Sequence, residues 1–160
     1  MFYRDDFKDP FSGWPNSTTA KYSREGYRLT GTNVAATNGP VVRNFRASVG
    51  LSVNAPAGAG LIFRQNDKGY YALVRFKEFA SVIRVEALRT VELERWPSIG
   101  KRDYPRRLEV RCEASECQFY EEEALIGGLK DTTFLEGRVG LFLSGKGDAL
   151  FNDLRVEEIK

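Results

Sequence analysis

Paired carboxylates are the side chains of this sequence that could cleave a glycosidic bond. A retaining glycosidase needs two carboxyl groups about 5 Å apart. Glu92 with Glu94, and Glu121 with Glu123, are the same-face pairs within predicted strands. Charge on a solvated strand explains both pairs more simply, and Glu122 makes the second pair look like an exposed edge or turn. We therefore predict that the protein is not an enzyme.

The chain has no histidine among its 160 residues. This excludes histidine metal ligands, Ser-His-Asp and Cys-His nucleophilic sites, and any imidazole acid or base. The net charge of +2, from 24 basic and 22 acidic residues, is too balanced to indicate nucleic acid or an anionic membrane. No apolar run approaches the roughly 20 residues of a membrane span. The N-terminus lacks the order of a signal peptide, so either the protein is cytoplasmic or a leader has been removed.

Cys112 and Cys117 could form a disulfide. Four residues separate them, and if 107–112 and 117–122 pair as a hairpin, the cysteines lie directly opposite each other. The Cα separation of such a pair, about 4.5–5.5 Å, suits a disulfide. Two buried free thiols are the alternative, and zinc would need two further ligands. A disulfide favours an extracellular or periplasmic location.

The elements that must position these residues are short strands. Apolar and polar residues alternate over 45–53, and Asn66-Asp67-Lys68-Gly69 is a turn signal between two strands of a hairpin. Similar segments follow at 82–88, 91–96, 107–112, 117–122, 137–144 and 149–159. About twelve short strands with little helix predict an all-β, antiparallel two-sheet sandwich, which we assign to one domain, 1–160.

The strand phases predict one polar sheet face rich in arginine. If Ala47, Phe63, Ile83 and Val110 point into the core, then Arg46, Arg64, Arg84, Arg107 and Arg111 point outward. Tyr71 and Arg75 join that face if Val74 and Phe76 are core residues. Aromatic rings stack on sugars, and guanidinium forks bind hydroxyls or carboxylates. Cross-strand Arg–Glu pairing on a solvated sheet is the alternative explanation. The predicted ligand-binding residues are Arg46, Arg64, Tyr71, Arg75 and Arg84.

Three segments together resemble a known family. They are Asp5-Asp6-Phe7-Lys8-Asp9-Pro10 with Ser12-Gly13-Trp14, Gly60-Leu61-Ile62-Phe63-Arg64 before Tyr70-Tyr71, and Gly137-Arg138-Val139-Gly140-Leu141 followed by Phe151-Asn152-Asp153-Leu154-Arg155-Val156. In this order they resemble the bacterial concanavalin A-like, laminin-G-like jelly-roll domains. The resemblance implies two curved antiparallel sheets, with the N-terminal strand beside the C-terminal one and a shallow groove on a curved face. Relatives of that family include lectins, sugar-binding modules, glycoside hydrolases and protein-binding domains, so the fold does not settle function.

The resemblance also implies a structural calcium ion that ties the first strand to the last. Oxygen ligands would come from Asp6 and Asp153, with Asp148 as a further candidate. The alternative is that Asp5, Asp6 and Asp9 cap turns. The family's Phe-Asp-Asn order is permuted to Phe151-Asn152-Asp153 here, and Glu92-Leu93-Glu94 lacks the third in-phase acid of the hydrolase motif.

Three functions remain open from the sequence. The first is carbohydrate binding, of a glycan or polysaccharide, without catalysis. The second is a protein-interaction or scaffold domain of a larger exported protein with other domains, and the third is a glycoside-active enzyme. The predicted partner is therefore a glycan or a protein ligand, with no nucleic acid and no membrane insertion.

Overall fold

Twelve β-strands make up the regular structure of the described residues, 1–97 and 103–159, of the computed structural model. They are β1 Phe2–Asp5, β2 Ala20–Ser23, β3 Gly26–Val42, β4 Phe45–Val53, β5 Gly58–Asn66, β6 Gly69–Arg75, β7 Phe79–Glu86, β8 Arg89–Pro97, β9 Arg107–Glu113, β10 Glu116–Glu121, β11 Ala124–Lys130 and β12 Gly137–Glu158. All pairings are antiparallel, and the architecture is a β-sandwich jelly roll, as the sequence predicted.

Two long strands, β3 and β12, pass from one sheet to the other. The register between them shifts between Leu143 and Lys146. At this corner Gly145 has a φ of 78°, a conformation that glycine adopts without steric cost, and its amide donates a hydrogen bond to Asn33 Oδ1 over 2.7 Å. The sequence pattern predicted two separate strands here, 137–144 and 149–159, because the corner interrupts the alternation.

The sheet that contains both chain ends is called the terminal sheet below. Its order is β11-β10-β9-β4-β12, where the second half of β12 takes part. On the other side of that half of β12 lie β1 and the first half of β3, and β2 follows beyond β3. The N-terminal strand thus lies beside the C-terminal one, as the family resemblance implied.

The other sheet, called the meander sheet below, contains the consecutive strands β5 to β8. Its order is β3-β12-β5-β6-β7-β8, with the second half of β3 and the first half of β12. Phe63 of this sheet lies 6.0 Å from Phe119 and 6.3 Å from Phe45 of the terminal sheet, between ring centroids. These rings belong to the apolar core enclosed between the sheets.

The two outer strands β8 and β11 approach each other at one open side of the sandwich. Trp96 of β8 packs over Gly127 of β11, where a Cβ atom would overlap the indole ring. The Trp96 ring also contacts Phe119, with centroids 5.6 Å apart. This accounts for Gly127 in the middle of a strand, because only glycine leaves room for the ring.

The N-terminal motif residues hold the first strand against the core. Phe7 and Trp14 are buried and pack on Tyr27, with ring centroids 5.2 and 5.6 Å from it. Trp14 Nε1 donates a hydrogen bond of 3.1 Å to the hydroxyl of Tyr3. The tryptophan and phenylalanine of this motif are therefore packing residues.

Candidate functional site

The outer face of the terminal sheet carries two rows of mostly polar side chains across five strands. Because side chains alternate between faces along a strand, residues in register share a face. The first row runs Gln118, Arg111, Arg46, Glu157, Phe2 from β10 to β1. The second row runs Tyr120, Glu109, Ser48, Arg155, Arg4. Arg107 lies beyond the second row, opposite Gly50.

These rows line a groove, which we call the arginine groove. One cavity of about 520 Å³ lies over Phe2, Arg4, Arg46, Ser48, Arg107, Glu109, Arg111, Glu122, Glu123, Arg155 and Glu157. A second cavity, of about 460 Å³, shares Arg46, Arg111 and Glu157 with the first. The shared lining makes the two cavities one continuous depression across the strands.

Asp153 is the centre of one charge cluster in the arginine groove. Its carboxylate lies 2.9 Å from Arg4 Nε, 2.7 Å from Arg155 Nη2 and 3.5 Å from Arg107 Nη1. Burial raises the pKa of Asp153, but the hydrogen bonds from Arg155 and Arg4, together with the charges of Arg107 and Arg155, outweigh it and hold the pKa below its usual range. Arg107 is fixed further by bonds from Nη2 to Ser48 Oγ, 2.8 Å, and to the Asp153 carbonyl, 2.7 Å.

Glu109 is the centre of a second cluster. Its carboxylate lies 3.6 Å from Arg46 Nε and accepts a hydrogen bond from Arg111 Nε. The Arg111 guanidinium also stacks over the Tyr120 ring, 4.2 Å from the ring centroid. Such stacking fixes the orientation of the guanidinium plane.

The structure corrects the predicted positions of Tyr71 and Arg75 on an outer face. Both side chains are buried, because Tyr71, Leu73 and Arg75 form the inner face of β6. Val74 lies on the outer side, in a small apolar cluster with Ile62 and Ala72. The prediction placed the inner residues of β6 on the outer face and the outer residues in the core. The sequence could not distinguish the two arrangements, because both faces of β6 carry apolar side chains.

Arg75 is a buried crosslink between the two sheets. Its Nε donates to Glu121 of β10 over 2.8 Å, and its terminal nitrogens donate to the carbonyls of Phe76, Lys77 and Asp103. These acceptors replace the water that the guanidinium loses on burial. Glu121, one of the candidate catalytic acids, therefore has a structural role, and this Arg75 contact accounts for its position.

The prediction of an outward Arg64 is also wrong. A β-bulge between Phe63 and Asn66 puts Arg64 at a φ of 54°, and its side chain is fully buried like that of Phe63. Its terminal nitrogens donate to the carbonyls of Arg43, at 2.8 Å, and Phe134, at 3.4 Å. Burial lowers the pKa of the guanidinium. An alternating pattern contains no signal for a bulge.

Tyr71 and Arg84 meet at Asp131, in the segment between β11 and β12. The Tyr71 ring stacks on Phe63. Its hydroxyl donates a hydrogen bond to Asp131 Oδ1 and accepts one from the Phe134 amide over 3.1 Å. Arg84 Nη1 donates to Asp131 Oδ2 over 2.7 Å. The expected outward direction of Arg84 is wrong because Val82, two residues earlier on the same face, packs in the core, whereas Ile83 lies in the outer cluster.

Of the predicted ligand-binding residues, only Arg46 lies in the arginine groove. Arg107 and Arg111, which the same strand phases pointed outward, lie there too. Sequence reasoning did not assign Phe2, Arg4, Tyr120 or Arg155 to the site. Arg155 alternates with the core residues Leu154 and Val156, and this signal was available. The position of β1 beside it depends on the closure of the sheet.

Calcium at Asp6 and Asp153 stays a prediction. Within 1–97 and 103–159, no group of three or more Cys, Asp and Glu side chains is arranged to hold a metal ion. Asp153 is surrounded by three guanidinium groups, which repel a cation. Asp5, Asp6 and Asp9 each accept the amide of the residue two positions later, at 2.7, 3.0 and 2.9 Å. These are Asx turns, the alternative that the sequence left open.

The remaining candidate residues have defined partners. Cys112 and Cys117 lie directly opposite each other on β9 and β10 and are joined in a disulfide with a Cα separation of 4.1 Å. Glu92 accepts hydrogen bonds from Ser81 and Arg95. The bond from Arg95 is the main cause of its lowered pKa, followed by that from Ser81. Across the described part of the chain, no helix is long and apolar enough to cross a membrane.

Solved structures share this fold. The carbohydrate-binding module CBM66 from Bacillus subtilis superposes with a TM-score of 0.76 at 18% identity, covering 89% of this chain and 94% of that one. A Bacillus subtilis protein of unknown function with a galectin-like fold gives 0.75 at 10% identity, covering 98% and 94%. The xylan beta-1,4-xylosidase from Bacillus halodurans C-125 gives 0.70 at 15% identity, over 97% of this chain and 39% of the enzyme.

No protein-family model matches the sequence, and no curated protein matches it. The structural likenesses support a concanavalin A-like jelly roll of the kind found in these neighbours. They do not single out the laminin-G type that the sequence motifs suggested.

Proposed function

We propose that this protein is a non-catalytic carbohydrate-binding domain that takes a glycan in the arginine groove. The main support for this proposal is the groove itself. It is a depression across five strands in which Asp153 and Glu109 hold guanidinium groups in place. Preformed donors bind sugar hydroxyls without first paying the entropy of ordering. The likeness in fold to a carbohydrate-binding module supports the same function.

An exposed aromatic ring lies at one end of the arginine groove. It is Phe2, on the outermost strand β1, which is 62% exposed, whereas the half-buried Tyr120 ring on β10 lies under the Arg111 guanidinium. An exposed ring offers an apolar surface on which a sugar ring stacks. Four strand spacings of about 4.8 Å separate β10 from β1, so the groove extends about 19 Å, enough for several sugar rings.

Catalysis is not part of this proposal. A glycosidase needs a carboxylic acid whose pKa is raised so that it can protonate the leaving group. In the arginine groove the pKa of Asp153 is lowered, and Glu109 is paired with two arginines. Both carboxylates hold arginine side chains in place. The disulfide further favours an oxidising compartment, so we propose that the domain works outside the cytoplasm.

A glycan array followed by calorimetric titration of the hits tests this function. We expect saturable binding that Arg46→Ala or Phe2→Ala weakens about tenfold, corresponding to about 1.4 kcal/mol. Arg95→Ala is the matched control, because Arg95 is an exposed arginine on β8 of the other sheet, paired with Glu92. Absence of glycan binding, or equal loss in the control variant, would contradict the proposal.

A further inference from the structure

We infer that the arginine groove selects an acidic polysaccharide, one that carries carboxylate or sulfate groups along an extended chain. This inference rests on the proposed function and names its ligand class. The carrying observation is the placement of like charges on the terminal sheet.

Two pairs of arginines lie directly opposite each other on neighbouring strands. Arg46 of β4 faces Arg111 of β9, and Arg4 of β1 faces Arg155 of β12. Like charges in direct cross-strand contact destabilise a sheet. Each pair has one internal carboxylate, Glu109 or Asp153, and this neutralises one of the two charges. A ligand anion would neutralise the other.

The charge balance at the two clusters is positive. Arg4, Arg46, Arg107, Arg111 and Arg155 contribute five positive charges against the three carboxylates of Glu109, Asp153 and Glu157, which lies opposite Arg46, and this leaves an excess of two. The remaining acids of the lining lie at the two ends of β10. Glu113 and Glu116 flank the turn between β9 and β10, and Glu122 and Glu123 lie in the turn after β10, where Glu122 accepts a hydrogen bond from the Arg106 amide over 3.0 Å.

Several guanidinium groups of the arginine groove have exposed terminal nitrogens that a ligand can contact. The side chains of Arg4, Arg155 and Arg46 are 56%, 49% and 45% exposed. Arg4 and Arg46 approach their carboxylates through Nε, and within the described residues no hydrogen bond from their terminal nitrogens is found. A free pair of N–H groups in a fixed plane matches the two oxygens of a carboxylate or sulfate.

The spacing of the two clusters favours a polymer. Their midpoints are two strands and one row apart, which corresponds to about 12 Å with strand spacings near 4.8 Å and a two-residue repeat near 6.8 Å. One monosaccharide cannot reach both clusters. An extended chain with repeated anionic groups can reach both, and its two contacts then reinforce each other.

The test compares polysaccharides that differ only in charge. Polygalacturonate is titrated against its fully methyl-esterified form, and dextran sulfate against dextran, by calorimetry at low and at physiological ionic strength. We expect at least one acidic polymer to bind about tenfold or more tightly than its neutral partner, with affinity that falls as salt rises. Monomeric galacturonate should bind more weakly than the polymer. The carboxylate and sulfate arms tell the two sources of the anion apart.

Variants locate the effect. Arg46→Gln and Arg155→Gln each remove one cation from a different cluster, and each should reduce the acidic-over-neutral preference about tenfold. Arg95→Gln, on the other sheet, should leave it unchanged. The melting temperature of each variant is measured alongside, because these exposed side chains should be replaceable without unfolding the protein.

Two outcomes overturn the inference. If neutral glycans bind in the groove as tightly as their acidic partners, the proposed function stands and the acidic selectivity falls. If single-stranded DNA of equal charge binds as tightly as the acidic polysaccharide, the surface is a general polyanion site and the inference is wrong. Absence of binding to any glycan would instead contradict the proposed function.

Discussion

The outer faces of the two sheets differ in chemistry although both come from alternating strands. The terminal sheet has charged side chains over an apolar core, and its outer face is the arginine groove. The meander sheet is apolar on both sides, since Ile62, Ala72, Val74 and Phe142 are buried on its outer face under Tyr70, Phe76 and Ile83. The terminal sheet therefore presents a polar surface to solvent. On the outer face of the meander sheet, the partly buried side chains of Tyr70, Phe76 and Ile83 cover the apolar cluster.

Arginines follow the same division. Those that line the arginine groove are partly exposed and pair with side-chain carboxylates, whereas Arg64 and Arg75 of the meander sheet are buried and donate mainly to backbone carbonyls, with one further bond from Arg75 to Glu121. One residue type thus lines the proposed binding groove in one sheet and forms buried crosslinks in the other. The direction of the strand face, rather than the residue, decides which.

Removal of a buried arginine should have the largest effect on stability. We expect Arg75→Ala to lower the free energy of unfolding by about 3–5 kcal/mol, because it leaves Glu121 and several carbonyls without their buried partner. Arg46→Ala, in the groove, should change it by no more than about 0.5 kcal/mol. Urea denaturation of both variants measures the difference, and equal effects would break the comparison between the sheets.

Tyr71 should give a smaller, pH-dependent effect. Burial, followed by the hydrogen bond to Asp131, raises its pKa to about 12, against about 10 in an unfolded chain. The stability from this tyrosine is therefore complete below pH 10 and is lost as the pH rises toward 12. We expect Tyr71→Phe to cost about 1–2 kcal/mol at neutral pH, with the difference from wild type shrinking above pH 10.

Chemical denaturation between pH 8 and pH 12 measures this difference. The comparison with wild type at each pH cancels the titration of the other tyrosines. A gap between the two proteins that stays constant up to pH 12 would show that the Tyr71 hydroxyl titrates as it does in solvent.

Asp153 should give a smaller effect on stability than Tyr71, with the opposite pH dependence. Its pKa is lowered in the folded protein, so its contribution is present above about pH 4 and is lost as the pH falls further. We expect Asp153→Asn to cost about 1 kcal/mol at neutral pH, a modest value because the pair is partly solvated. The cost should vanish in acid and shrink in high salt, as melting curves would show.

Strands β4, β9 and β10 of the terminal sheet were predictable from the sequence, whereas no strand was predicted from the alternation before residue 45, so β1, β2 and β3 were missed. Strand β4 was predicted with its observed bounds, and the hairpin that places Cys112 opposite Cys117 was predicted as well. Outward directions of Arg46, Arg107 and Arg111 followed from the same alternation. These strands have one polar and one apolar face, so their phase is unique.

The meander sheet was predictable as strands but not in its phase. Alternation in β6 and β7 occurs between apolar residues on both faces, so Tyr71, Arg75 and Arg84 were assigned to the wrong side. Arg64 was misplaced for a different reason, the bulge after Phe63. A bulge changes the face of a side chain without changing the composition of the strand.

The sequence by itself determined that the chain is all-β, which strands alternate, and that no histidine chemistry takes place. Tertiary structure decided which arginines are exposed and which strands adjoin, because β1 and β12 lie about 150 positions apart and meet only through sheet closure. Periodicity within a strand is a local property of the chain. The arginine groove depends on register between strands that are distant in sequence, and long-range packing fixes that register.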